Sequence, residues 1–115
     1  MEEKQSYVVD ITPEGEFYYL QLLEHLYKSH SEESADRKSD EILDMAMSLD
    51  QNPNRGSEEK RLAFLDKGHR FLLYKITSRK QVKIIYFVDE MSKIVYVTDF
   101  FGTEMDDKKI SKRNK

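Results

Sequence analysis

Phe71-Leu72-Leu73-Tyr74-Lys75-Ile76-Thr77, Val82-Lys83-Ile84-Ile85-Tyr86-Phe87-Val88 and Ile94-Val95-Tyr96-Val97-Thr98-Asp99-Phe100-Phe101 are three apolar-rich segments that follow one another closely. Only Ser78-Arg79-Lys80-Gln81 and Asp89-Glu90-Met91-Ser92-Lys93 separate them. Rich in β-branched and aromatic residues and joined by short polar links, they read as strands of consecutive hairpins, paired antiparallel. Ile84 to Val88 is apolar at every position. A run that does not alternate suggests a central strand covered on both faces.

Working back from the strands, the chain turns helical. Asn52-Pro53-Asn54-Arg55-Gly56 closes a segment in which Ala35, Ile42, Met45, Ala46 and Leu49 fall on one helical face. Proline disfavours α geometry in the residue before it, so the helix stops there. Ser29-His30-Ser31-Glu32 has the form of a capping box for its start. Before it, Phe17, Leu20, Leu23 and Tyr27 recur at helical spacing, with Leu22 and Leu26 widening the stripe. Tyr7 to Thr12 reads as an opening strand broken at Pro13 and Gly15. Residues 54–68 are expected to form a loop anchored by Leu62, Ala63, Phe64 and Leu65, and residues 108–115 a mobile basic tail. The expected architecture is a single α+β domain over residues 1–115, a helical hairpin packed on one face of a largely antiparallel sheet, with the other face open to a partner.

Composition narrows the function. The chain has 115 residues and no cysteine, which excludes disulfides and thiolate metal sites. Neither a signal-peptide pattern nor an apolar stretch of membrane-spanning length is present, so a soluble cytoplasmic protein is expected. Residues 1–59 carry fifteen acidic and five basic side chains, a net of −10, whereas residues 60–115 net +7, giving −3 overall. That asymmetry reads either as an interaction surface or as acidic helices neutralising a basic sheet. His25 and His30 lie five apart on one helix and share no face, so no metal or other cofactor is expected.

Three local patterns carry a family resemblance. Val9-Asp10-Ile11-Thr12-Pro13 leads into a Leu-rich helix, and Leu49-Asp50-Gln51-Asn52-Pro53-Asn54-Arg55-Gly56 resembles a Leu-x-x-Asn-Pro-x-x-Gly pattern. Lys83-Ile84-Ile85-Tyr86-Phe87-Val88-Asp89 resembles Arg-apolar-apolar-Tyr-x-Val-Asp. In this order they resemble the RelE/ParE toxin superfamily of bacterial toxin–antitoxin systems, with the nearer likeness to ParE-type plasmid-stabilisation proteins. The resemblance implies a β-α-α-β-β-β fold and a cognate antitoxin as partner. It also implies one of two activities: poisoning of a type II topoisomerase such as DNA gyrase (ParE type), or ribosome-dependent mRNA cleavage (RelE type). A third reading is a non-toxic interaction module of the same fold.

Cleavage of RNA through 2′-hydroxyl attack develops an anionic phosphorane that clustered cations stabilise. By resemblance the candidates are Lys75 and Lys83, the latter where the family carries arginine, with His69 as a proton-transfer group. Thr77 stands where a further basic residue is expected, and Asp99, Glu104, Asp106 and Asp107 put acid near the last strand. Those carboxylates and the net charge argue against direct nucleic-acid binding, and hence for a protein-binding toxin over an enzyme. Tyr18, Tyr19, Arg61, Arg70, Phe100 and Phe101 are the expected partner-binding residues. Tyr74, Tyr86 and Tyr96 could stack bases, but core or half-core packing is the commoner use of aromatics on a sheet and is the reading expected here.

Overall fold

The computed structural model describes residues 6–114. Met1 to Gln5, read above for a signal sequence, and Lys115 of the predicted tail lie outside the described residues. Strand β1 (Val8–Ile11) leads into α1 (Pro13–Ser29), which His30-Ser31 joins to α2 (Glu32–Met47). Short 3-10 segments at Ser48–Asp50 and Pro53–Arg55 follow, then β2 (Ser57–Glu58) and a longer 3-10 segment at Lys60–Leu65. The chain continues through β3 (Arg70–Lys75), β4 (Gln81–Asp89) and β5 (Ile94–Gly102) to a short α3 (Lys108–Arg113).

The sheet order is β1-β5-β4-β3-β2. The strands β2 to β5 pair antiparallel, while β1 closes one edge parallel to β5, with Val9 opposite Val95. The result is an α+β fold with a mostly antiparallel five-stranded sheet and β4 at its centre, as its unbroken apolar run implies.

Local chemistry sets the helix boundaries. Thr12 Oγ1 accepts from Gly15 N at 3.0 Å, Pro13 takes the first turn, and Glu14 and Glu16 complement its dipole. Ser31, not Ser29, caps α2 by accepting from Ser34 N. Ser29 instead donates from its hydroxyl to the His25 carbonyl, so the predicted capping box gives way to a simple serine N-cap two residues on. Tyr19 donates to the Ser39 carbonyl and Tyr27 to the Asp36 carboxylate, which fixes the two helices antiparallel.

Two cores flank the sheet. On the inner side Leu22, Leu26, Ala35, Ile42, Ala46 and Leu49 of the helical half meet Ile84, Tyr86, Val95, Val97 and Phe100. Fully burying a large apolar side chain of this kind stabilises by about 1.5–3 kcal/mol. Gly15 sets how closely α1 approaches: a Cβ there would lie 2.5 Å from the Val97 carbonyl oxygen. On the outer side Leu62, Ile85, Phe101 and Ile110 form a second, smaller core.

That second core corrects two expectations. The tail is not free: α3 lays Ile110, fully buried, against the outer face of the sheet. Its single apolar residue in six gives no period to read. The outer face is therefore covered in part by the chain itself, through Lys60–Leu65 and α3. Of the loop cluster expected to anchor residues 54–68, Leu62 is buried and Phe64 exposed.

A bulge locks α3 in place. Pairing between β4 and β5 slips between Ile85 and Tyr86, so Val97 and Phe100 both enter the inner core. Thr98 and Asp99 then both turn outward, where Thr98 donates to Asn114 Oδ1 at 2.8 Å. Asp99 accepts from Arg113 Nη2 at 2.8 Å and from Asn114 Nδ2 at 2.9 Å.

Candidate partner-binding face

The cationic set expected for RNA cleavage is dispersed. Lys83 lies opposite Leu73 and Lys75 opposite Gln81, so both cations belong to the outer face. From His69 to Lys75 the chain runs six extended residues, about 20 Å, too far to converge on one phosphate. Lys83 Nζ is also engaged. It donates to Glu59 Oε2 at 2.9 Å and sits 4.3 Å from the Phe71 ring centroid. Glu59 is itself buried, so this pair holds the Lys60–Leu65 segment to the sheet rather than offering charge to a ligand.

His69, read from sequence as a proton-transfer group, is 4 % exposed with its ring 5.0 Å from that of Phe87. Burial first, then the Lys67 charge, lower its pKa to about 4, which leaves it neutral at neutral pH. A base that weak is poorly matched to proton transfer there.

The expected partner-binding residues mostly serve the interior. Phe100 and Phe101 are buried in opposite cores, because consecutive strand residues point to opposite faces. Neither can seat a partner without the fold opening. The Tyr19 ring packs 5.0 Å from that of Phe100, and burial raises the pKa of its hydroxyl. Tyr18 lies under the guanidinium of Arg113, 3.8 Å from its ring centroid. Arg70 Nη1 donates to the Gly56 carbonyl at 2.8 Å. Arg61 is exposed, 3.7 Å from Asp107.

Nor do the strand tyrosines stack outward. Tyr74 donates to Glu41 of α2, and burial together with that carboxylate pushes its pKa up to about 12. Tyr86 donates to the Pro53 carbonyl at 2.6 Å and accepts from Gly56 N at 3.0 Å. Tyr96 rests 5.2 Å from the Phe87 ring. The acidic stretch is likewise used internally: Asp99 is buried under α3, and Glu104 faces Lys80 at 3.4 Å and His25 at 3.7 Å.

Among the described residues eight large hydrophobic side chains are exposed; Val8, Met47, Phe64, Leu73 and Met91 come from separate segments, and the other three share α1. Its inner face is Gly15, Leu22 and Leu26. On its far side Phe17 (56 % exposed), Leu20 (55 %) and Tyr27 (44 %) line up, with Leu23 half-buried beside them. Of the stripe read from sequence, the Leu22 and Leu26 side faces the core and the Phe17, Leu20 and Tyr27 side faces outward. From Phe17 to Tyr27 it extends about 15 Å along the helix. Glu14, Glu16 and Glu24 border it, and Glu24 is bridged to Lys28 at 3.1 Å. A helix apolar on two sides belongs between two packing partners, and here the outer side meets only α2, through the Tyr27 hydroxyl and Asp36. An apolar strip with an acidic border can receive an amphipathic segment carrying apolar anchors and basic flanks. The signal was in the sequence: two overlapping apolar stripes on one helix, more than a single sheet contact consumes.

Among the described residues no group of three or more His, Asp or Glu side chains could hold a metal ion, and no helix is long and apolar enough to cross a membrane. No protein-family model, no curated protein and no solved structure matches this chain.

Proposed function

We propose that this chain is the toxin component of a type II toxin–antitoxin, or plasmid-stabilisation, system. It acts by protein binding, with a type II topoisomerase as target and a cognate antitoxin as neutralising partner. The observation that carries the reading is the exposed Phe17-Leu20-Tyr27 stripe of α1, a helix-in-groove surface with its own side of the sheet already filled. Two further features support it. The order strand, helix, helix, then three long antiparallel strands is the order the RelE/ParE resemblance implies. The wide separation of Lys75 from His69 and the engagement of Lys83 by Glu59 weigh against the RelE-type nuclease alternative.

Expression of the chain alone under tight control tests this. Growth arrest with blocked supercoiling by DNA gyrase in vitro, relieved by co-expression of the neighbouring antitoxin frame, is the expected result. Leu20→Asp should lose antitoxin binding while remaining folded. Cleavage of ribosome-bound message would replace this reading with the nuclease. Absence of arrest, with gyrase unaffected, would leave a non-toxic interaction module.

A further inference from the structure

Along the inner side of β5 the core row of Val95, Val97 and Phe100 runs out at Gly102, and there the fold leaves a gap. Gly102 pairs with Val82 and follows Phe100 by two, so its missing side chain belongs to the face that α1 covers. A Cβ placed on it would meet nothing nearer than Met105 Cε, at 4.0 Å, and its backbone is not left-handed. The gap belongs to a cavity of about 340 Å³, at the lower end of the ~300–1,000 Å³ usual for small-molecule sites. Leu22, Ile76 and Phe100, all core residues, form its floor, with Tyr18, Met105 and Arg113 as walls. The exposed residues Gln21, His25 and Glu104 stand at its rim.

The charges around this cavity already answer one another. Glu104 lies 3.4 Å from Lys80 and 3.7 Å from His25, and Arg113 donates to Asp99 at 2.8 Å. An ion entering would lose its water and find no free partner, whereas an uncharged apolar body loses little. The rings of Tyr18 and Phe100 and the thioether of Met105 suit an aromatic guest, since ring edges attract both ring faces and sulfur. At the rim the Gln21 amide offers a donor and an acceptor. We propose that this cavity binds a small uncharged aromatic molecule with one hydrogen-bonding group, of the phenol or indole kind. Its ring fills the space over Gly102 and its polar group meets Gln21. None of Phe17, Leu20 or Tyr27 lines the cavity, so this site stands or falls separately from the antitoxin reading.

Titration with phenol, indole, toluene and benzoate at neutral pH, followed by amide and methionine-methyl NMR, tests this. Saturable shifts with phenol and indole, centred on Tyr18, Leu22, Ile76, Gly102 and the Met105 methyl, are the expected result. Benzoate, of similar shape but charged, should bind roughly tenfold more weakly. Gly102→Leu puts a side chain into the gap and should weaken phenol roughly tenfold or more, with the amide spectrum of a folded chain. Gln21→Ala, at an exposed position, should weaken phenol about fivefold and leave toluene unchanged, as loss of one neutral hydrogen bond does. Should Gly102→Leu fail to fold, Gln21→Ala decides alone. Shifts that do not saturate, shifts centred on Phe17 and Leu20, benzoate binding as tightly as phenol, or phenol affinity unchanged in a folded variant would overturn the proposal.

Discussion

His69 and Asp99 oppose each other in pH, and removing either should unmask the other. Burial, with Lys67 beside it, lowers the His69 pKa from 6.5 to about 4. Above pH 6.5 the ring is neutral in folded and unfolded chains alike. As pH falls toward 4, the unfolded chain takes up a proton that the folded chain refuses, and stability drops. Asp99 does the reverse. Burial raises its pKa from 3.8 to about 6, outweighing the contrary pull of Arg113 and Asn114. Below pH 3.8 its carboxyl is protonated in both states. As pH rises toward 6 the unfolded chain releases a proton that the folded chain keeps, and stability drops with rising pH. Each swing is on the order of 3 kcal/mol, a large share of the 5–15 kcal/mol typical of a domain. In the native chain the two nearly cancel between about pH 4 and pH 6. Urea denaturation across that window should therefore show His69→Phe losing stability as pH rises and Asp99→Asn gaining it. The slopes are the readout, because Asp99→Asn also leaves Arg113 without its charge partner at every pH. Variants that tilt the same way, or that keep the native profile, would refute the reasoning.

Substitutions at three further places probe the scaffold. Gly15→Ala drives a Cβ to 2.5 Å from the Val97 carbonyl and should lower stability by about 1–3 kcal/mol in thermal melts, by forcing α1 off β5. Tyr86→Phe leaves the Pro53 carbonyl and the Gly56 amide without the hydroxyl they share and should lose about 1–3 kcal/mol in urea titration. Lys83→Ala strands the buried Glu59 carboxylate at about 3–5 kcal/mol, whereas Lys83→Met combined with Glu59→Leu should recover most of that. Any activity lost with Lys83→Ala yet restored in the double variant reports folding, not chemistry.

The strands were legible because their signal is local: β3, β4 and β5 fall within two residues of the segments read from composition and turn chemistry. The second core was only half legible: Ile85 and Phe101 lie in segments read as strands, and the unbroken run of β4 implied two covered faces, but Leu62 and Ile110 sit in short segments with no periodic run. The bulge left a trace that could have been used. Val95 and Val97 alternate, then the next inner residue is Phe100, a spacing of three where a regular strand gives two. That slip accounts for the misreading of the acidic stretch, since it turns Asp99 into the anchor of α3. Which side of α1 is buried was not legible for a different reason. Its two apolar stripes compete on equal terms in sequence, and the choice is made by Gly15, whose missing side chain lets the Leu22–Leu26 side press against β5. Glu59 passed unnoticed as a loop carboxylate, because nothing short of the fold brings it to Lys83.

The residues that carry the family resemblance are tied to one another inside the molecule. Tyr86 joins Pro53 to Gly56, the Gly56 carbonyl takes Arg70, and Lys83 takes Glu59. Bonds of this kind would serve any chain of this topology, whatever it does, so activity must be decided by what the fold leaves exposed. The outer sheet face is partly spent: Ile110 fills it, and Arg113 is clamped between the rings of Tyr18 and Phe101, 3.8 and 5.1 Å from their centroids. A partner docking there must first displace α3 and expose Phe101, at about 1.5–3 kcal/mol for that one side chain. Docking on α1 displaces nothing. Hydrogen exchange with the proposed partner bound should therefore slow at the amides of α1 between Phe17 and Tyr27 while β5 and α3 keep the rates of the free chain. Protection concentrated on α3 and the outer sheet would place the partner on the opposite side and sink the argument from exposure.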